Sequence, residues 1–426
     1  AVTPPTGPTM VVIDIELQKE EAQDFNLPQF RPAAIEGLDT ATAKTIAEKL
    51  LNASNPRLET GMFRTPEGIE AAVQLAELIG ASTSTTSTAG PMGFPQRHPL
   101  CGPGARSNYD YVLGLEASSP DLSLRRPIVN SITSQRDVMG IGFGSLREDY
   151  VPTPPGSEPT PLAQSQRQPQ GTVLEIDAQT SIPVIIAELS RLITPAKQRE
   201  IEQRKTRHTR ANRENFLATL RAAVEEKKKG WDLSPVSTAR IYAELWPLIM
   251  DEDWCLASPS NFSGAHHREL WEHNKPYSFL GTQGAAGMGY GPGASAGAAL
   301  AARSRGRFVV NVQPDGDLNY APGALWTAVH HELPMLTVMH NNRAWHQEYM
   351  FIQYLAGVRG RGTDRGHIGC VLRDPFIDYS KMAQAYGMDS EGPIEDPALL
   401  AAALGRGVES VKTGKPYLID VVTQPR

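Results

Sequence analysis

Cysteine is nearly missing from this 426-residue chain: Cys101, Cys255 and Cys370 are the only three, at no paired spacing. Such a set neither staples a small secreted domain nor builds a thiolate metal site, and it reads as reduced thiols in a cytosol. No apolar run reaches bilayer-spanning length, and the opening AVTPPTGPTM lacks the basic and then apolar character of a signal peptide. Excess charge of one sign is also scarce. Lys and Arg number 41 against 47 Asp and Glu, a net −6 that calls for neither nucleic acid nor an anionic membrane. No repeat of solenoid period occurs. These absences leave a cytoplasmic globular protein as the expectation.

What the chain does have is length, enough for two domains, and 37 Gly with 34 Pro, which imply many tight turns. Along residues 36–196 the pattern alternates. TAKTIAEKLLNA and TPEGIEAAVQLAELIG carry helical spacing, and YDYVLGLEA (109–117) reads as a strand, the rhythm of an α/β domain with a parallel sheet. A Pro/Ser/Gln-rich stretch (151–171) reads as an exposed excursion within it. Residues 197–230 mix both charges without interleaved aromatics, which favours a solvated linker helix over a nucleic-acid arm. Residues 231–426 resume the α/β rhythm, so two doubly wound parallel-sheet domains are expected. Ahead of them, Met10 to Ile15 reads as a lone strand that needs a sheet completed elsewhere.

The chemistry concentrates in one stretch. The strand RFVVNVQ delivers Asp315 to its carboxyl end, where open parallel sheets bind ligands, and Gly316 allows a sharp turn there. A helix over roughly Pro322 to His331 points its N-terminus at the same place and favours a diphosphate. The strand PMLTVMH then returns in parallel and delivers Asn341 and Asn342 to the same edge. One carboxylate, one amide oxygen and phosphate oxygens form an all-oxygen shell that suits Mg²⁺. Two ordinary turns would also explain a DG and an NN. The glycine-rich strand–helix turn just upstream weighs for the ligand reading.

These residues carry a resemblance. DGDLNYAPGALW…MHNN is similar to the thiamine-diphosphate motif of the acetolactate synthase and benzoylformate decarboxylase superfamily, and GTQGAAGMGYGPGASAGAALA resembles that family's other landmark. GFPQRHPLCG with DYVLGLEAS resembles its central domain. The resemblance implies thiamine diphosphate and Mg²⁺ as cofactors, with Asp315, Asn342 and the Ala344 carbonyl as metal ligands. It places Met288 as the prop that bends the cofactor, and the carbonyl of Ala286, beside Gly287, at its aminopyrimidine. It puts Ser260, Asn261 and Phe262 by the diphosphate, near Gly316 and Asp317. One departure is Pro314, where the family usually has Gly; proline fixes φ and removes a donor, altering how the chain enters the turn.

A larger departure concerns the family's pyrimidine-binding domain, whose glutamate protonates the cofactor. Only residues 1–22 resemble any of it, its last strand, followed by the central domain at 36–196 and the diphosphate domain at 231–426. The expectation is therefore a second subunit that supplies this domain, in a heteromer with at least two copies of each. The initial Ala fits either removal of a Met or a cut in a longer precursor.

Over the cofactor the resemblance places RAWHQEYMF, with Trp345, His346, Glu348 and Phe351 as candidates for the pocket wall. Glu348 and His346 are the catalytic candidates, for proton relay or for a polar substrate group. A solvated glutamate and a structural histidine are the competing readings. The pairs His266–His267 and His330–His331 point apart on a helix and do not read as metal sites. The implied activity is a carbon–carbon lyase or carboligase on a 2-oxo acid or related carbonyl compound, in which the cofactor supplies the electron sink. Cleavage of an acyloin or a 2-hydroxyacyl thioester is the alternative, and a non-catalytic cofactor-binding subunit is the contrasting one. No stretch calls for FAD.

Overall fold

The computed structural model describes residues 11–21, 37–85, 92–103, 109–116, 137–141, 172–174, 176–258, 266–281 and 288–424. They form two compact units, Ala1–Ser87 with Pro99–Asn212, and Thr88–His98 with Arg213–Arg426. Among the described residues no helix is long and apolar enough to cross a membrane.

The expected strand at the start differs. Residues 11–14 belong to no strand, and α1 (Ile15–Lys19) follows. Asp14 caps this helix by accepting the Glu16 N–H at 2.8 Å. With no strand paired to it among the described residues, the strand pattern loses to a capped turn of helix. Val11, Val12, Ile13, Ile15 and Leu17 stay exposed.

In the first unit α2 (Thr40–Asn52) starts at Asp39, whose carboxylate accepts the Thr42 N–H. Strand β1 (Pro56–Thr60) leads to α3 (Pro66–Ile79), which has Pro in its first turn and ends at Gly80 with φ 61°. These are ordinary start and stop signals. Next come β2 (Ser82–Thr85), β3 (Tyr111–Leu115), β4 (Asp137–Ile141), β5 (Thr172–Leu174) and α4 (Ala178–Leu192). The sheet runs β2-β1-β3-β4-β5 with every pair parallel. Ile46, Leu50, Leu75, Ile79, Ile182 and Leu189 are buried on its helices. Helix α5 (Pro195–Lys227) spans the charged stretch.

The second unit holds α6 (Thr238–Ile249), β6 (Trp254–Ser258), α7 (His266–Leu270) and α8 (Tyr290–Ala302). It continues with β7 (Phe308–Pro314), the one-turn α9 (Asp315–Leu318), α10 (Gly323–His330), β8 (Met335–Asn341) and α11 (His346–Val358). Last are α12 (Tyr379–Ala385), β9 (Asp389–Ile394), α13 (Leu400–Lys412) and β10 (Tyr417–Val422). Its sheet runs β6-β7-β8-β10-β9, again all parallel. The apolar runs of β7, β8 and β10 are buried on both faces, as a covered parallel sheet requires. The FPQRH turn also packs within this unit: Met92 N–H donates to Phe279 O, and Gln96 N–H to His273 O.

Candidate active site

The β7–α10–β8 crossover brings Asp315 and Asn342 together. The Ala344 N–H lies 3.1 Å from Asp315 Oδ2 and 3.1 Å from Asn342 Oδ1, so the two side chains converge on one point. Asp315 also accepts the Gly316 N–H at 2.8 Å and the Arg343 N–H. Arg343 has φ 60°, and this left-handed turn is what aims two successive N–H groups, Arg343 and Ala344, at one carboxylate.

Asp315 is 1% exposed, and burial pushes its carboxyl up to about 7 against the pull of those N–H donors. Among the described residues no basic side chain pairs with it. A sealed carboxylate with dipoles but no cation is costly, and a divalent ion is the partner that fits. Among the described residues no cluster of three or more His, Cys, Asp or Glu side chains could hold a metal. The residues present could hold one in another way, through a single carboxylate, the Asn342 amide and the Ala344 carbonyl, a set that suits a hard cation carrying phosphate ligands.

Several expectations gain detail or change. Asn341 turns inward, donating from Nδ2 to Asp420 Oδ1 at 2.9 Å, which leaves Asn342 for the ligand side. Gly316 is needed for space and not for a left-handed turn. A Cβ there would come within 2.6 Å of the Trp345 indole, and its φ is not positive. Pro314 is accommodated at φ −64° as the last residue of β7, so its fixed angle matches the turn. Asp317 faces away from the metal ligands: it accepts the Gly289 N–H at 2.5 Å and Gln313 Nε2 at 2.8 Å. Met288, one residue before that contact, is 41% exposed. Ser260, Asn261, Phe262, Ala286 and Gly287 lie outside the described residues.

His346 and Glu348 stand in the first turn of α11, reached from Asn342 through Ala344 and Trp345. The His346 ring meets Tyr349 edge-on at 6.1 Å. Glu348 is exposed and close to Cys370, whose thiol burial raises and the glutamate's charge raises further. No residue of α11 is buried, and Met350, Phe351, Ile352, Tyr354, Leu355 and Val358 are all exposed.

Sequence reasoning missed the frame behind the ligands. Tyr379 donates its hydroxyl to the Asp315 carbonyl at 3.2 Å and its N–H to Asp420 Oδ2 at 3.0 Å. Burial lifts the Asp420 carboxyl to about 6. An aspartate inside the apolar strand LIDVV is a signal that could have found Asp420; nothing in the sequence marks Tyr379.

Known proteins resemble this chain in sequence over part of its length. Residues 262–421 match the family model described as the thiamine pyrophosphate enzyme C-terminal TPP-binding domain. The acetolactate synthase large subunit of Mycobacterium tuberculosis is 28% identical over 213 residues, covering 49% of this chain and 36% of that protein. Benzoylformate decarboxylase of Pseudomonas aeruginosa is 29% identical over 145 residues, 33% of this chain and 24% of that protein. The aligned stretches thus span about a third or less of these curated relatives. The fold is shared with the crystal structure of benzoylformate decarboxylase from Polynucleobacter necessarius, TM-score 0.65 at 17% identity, covering 100% of this chain and 72% of that one. It is shared too with the 4-hydroxybenzoylformate decarboxylase of Rhodococcus jostii RHA1, TM-score 0.62 at 19% identity, covering 94% and 67%. Residues 262–421 thus carry the match to a thiamine pyrophosphate-binding domain, and the chain is similar over part of its length to enzymes of the acetolactate synthase and benzoylformate decarboxylase type.

Proposed function

We propose that this chain holds the diphosphate and metal of a thiamine-diphosphate-dependent carbon–carbon lyase or carboligase acting on a 2-oxo acid or related carbonyl compound in the cytoplasm. The observation that carries this reading is the buried Asp315 carboxylate, converging with Asn342 on the Ala344 N–H and answered by no basic side chain among the described residues. In this reading Asp315, Asn342 and the Ala344 carbonyl would hold Mg²⁺, which would supply positive charge for the diphosphate. Bound there, thiamine diphosphate supplies the nucleophilic carbon and the electron sink. The chain's own residues orient it: Gly316 makes room for the Trp345 indole, and the Arg343 turn fixes the metal ligands.

A second polypeptide supplies the pyrimidine-binding domain and its glutamate, in a heteromer with at least two copies of each chain. The exposed apolar residues of α11 support this, because a helix with six large apolar side chains in water and none buried calls for a covering surface. Glu348 and His346, on that helix's first turn, would then face an enclosed space and move protons or hold a polar substrate group.

Isothermal titration with Mg²⁺ and thiamine diphosphate tests the reading. The wild-type chain binds both together, and Asp315→Ala weakens binding by about 100-fold or more, as loss of a charged ligand to a buried cation requires. Equal affinity in Asp315→Ala would overturn the assignment. Thiamine-dependent CO₂ release from 2-oxo acids, assayed with a pyrimidine-domain partner, then separates an enzyme from a binding module.

A further inference from the structure

We infer that Asp317 is a positioning residue: it ties the metal turn to the start of α8 and so sets where Met288 stands against the thiamine portion of the cofactor. The inference rests on the thiamine-diphosphate reading above. Helix α9 is a single turn, and its two aspartates divide the work. Asp315 faces the Arg343–Ala344 N–H pair. Asp317 sends Oδ1 to the Gly289 N–H at 2.5 Å and Oδ2 to Gln313 Nε2 at 2.8 Å. Residues two apart on a helix do not share a face, so one short turn can grip two different partners.

The second grip has no slack. Gly289 caps α8 at φ 83°, with no side-chain cap of its own. A Cβ on Gly289 would lie 2.9 Å from Tyr320 Cβ. One on Gly291 would lie 2.5 Å from Gln313 Oε1, 2.8 Å from Ser258 Oγ and 3.1 Å from Asp317 Oδ2. The helix start is therefore pressed directly onto the ends of β6 and β7. Gln313 is itself held, since its Nε2 also donates to the Pro314 carbonyl at 3.1 Å, while its buried Oε1 has no hydrogen-bond partner among the described residues. Both Asp317 oxygens are committed to this tie. Met288 is bonded directly to the residue that Asp317 holds, and its exposed side chain takes its direction from that anchor.

The role predicts a split between two ligands that share a diphosphate. Titrations of the full chain with Mg²⁺·thiamine diphosphate and with Mg²⁺·inorganic pyrophosphate read it, with thermal melts confirming that each variant folds. Asp317→Ala weakens thiamine diphosphate by about tenfold and leaves pyrophosphate within about threefold, the scale of supporting-residue losses. Asp317→Asn and Gln313→Glu each misalign the tie and show the same split. Equal losses for both ligands would place Asp317 in the metal site instead, and no loss for either would show the tie to be idle; each overturns the inference. A wild-type chain that binds neither ligand overturns the thiamine reading and this inference with it, whereas one that binds both without the split sinks the inference alone.

Discussion

In the first sheet Arg57 and Glu59 are sealed inside together, and each is answered. Arg57 reaches Glu59 through Nε, and through Nη1 the Gly102 carbonyl at 3.0 Å and the Tyr109 hydroxyl at 2.8 Å. Glu59 also accepts the Ser84 hydroxyl at 2.6 Å. In the second sheet Asp315 is sealed just as deeply, and among the described residues only N–H dipoles meet it. Both sheets have five strands in all-parallel order, so architecture does not distinguish them. What distinguishes them is whether buried charge is closed within the chain. A closed pair is structure; an open carboxylate at a strand's carboxyl end is a place for a ligand.

The largest way to break that comparison is to open the closed pair. Glu59→Ala leaves the Arg57 guanidinium buried without its carboxylate and costs about 3–5 kcal/mol of stability, read from urea unfolding. The Asp315→Ala substitution described above does the reverse. It removes a charge that burial disfavours, so the ligand-free chain keeps its stability while ligand binding is lost. A loss below about 1 kcal/mol in Glu59→Ala would show that the first sheet's charges are not closed in the sense argued here.

The same contrast explains what the sequence made legible. β7 and β8 were readable because their apolar runs end in short polar clusters, and the crossover between them forces Asp315 and Asn342 to one edge. β1 was not, because PRLET looks like surface; its Arg and Glu are interior only through each other. Asp317 was legible as a second acid beside Asp315 but not for its partner. Its bonds run to Gly289 and Gln313, and no periodicity encodes a contact across 28 residues. Gly316 was read as a sharp-turn residue, whereas the indole that needs its space comes from Trp345, 29 positions on. Local pattern gives elements and edges. Which polar atoms meet there depends on tertiary neighbours that a single sequence does not show.

Buried histidines sharpen the comparison through acid. His208 in the first unit is depressed to about 4 by burial and by Arg204, Arg207 and Arg57 around it. His273 in the second is also depressed to about 4, by burial first, with Arg268 and Arg97 adding and the His267 and Ser278 backbone opposing. His267, packed against it, is pushed well below its ordinary value by burial, with His273, Arg268 and His266 adding. A histidine with a depressed folded pKa stabilises the fold fully above its unfolded value of 6.5 and loses that contribution as pH falls through about 4. The second unit holds two such groups in contact and is expected to be the more acid-sensitive. Unfolding free energy measured between those limits should fall with a slope that His273→Phe or His208→Gln reduces by about one proton each. An unchanged slope in either variant would mean that its imidazole is protonated in the folded state.

The smallest test concerns two strained residues at strand ends, one per unit. Glu116 has φ 52° just past β3, and its carboxylate accepts the Ala178 N–H at 3.3 Å. Arg343 has φ 60° just past β8, with its guanidinium 4.1 Å over the Phe376 ring and paired with Glu395. A left-handed angle costs an L-residue about 1–2 kcal/mol, and glycine gives back about 0.4–1 through its freer unfolded state. At both positions the Gly variant should therefore exceed the Ala variant by roughly 0.5–1 kcal/mol in thermal unfolding. The two sites part company in binding. At Arg343 the strain aims N–H groups at Asp315, and the stacked guanidinium, worth about 0.5–1 kcal/mol, holds that turn in place. Arg343→Gly should then be the more stable variant and still bind Mg²⁺·pyrophosphate about threefold more weakly than wild type. Glu116→Gly should leave that affinity alone, because its strained turn closes a structure and does not present a ligand.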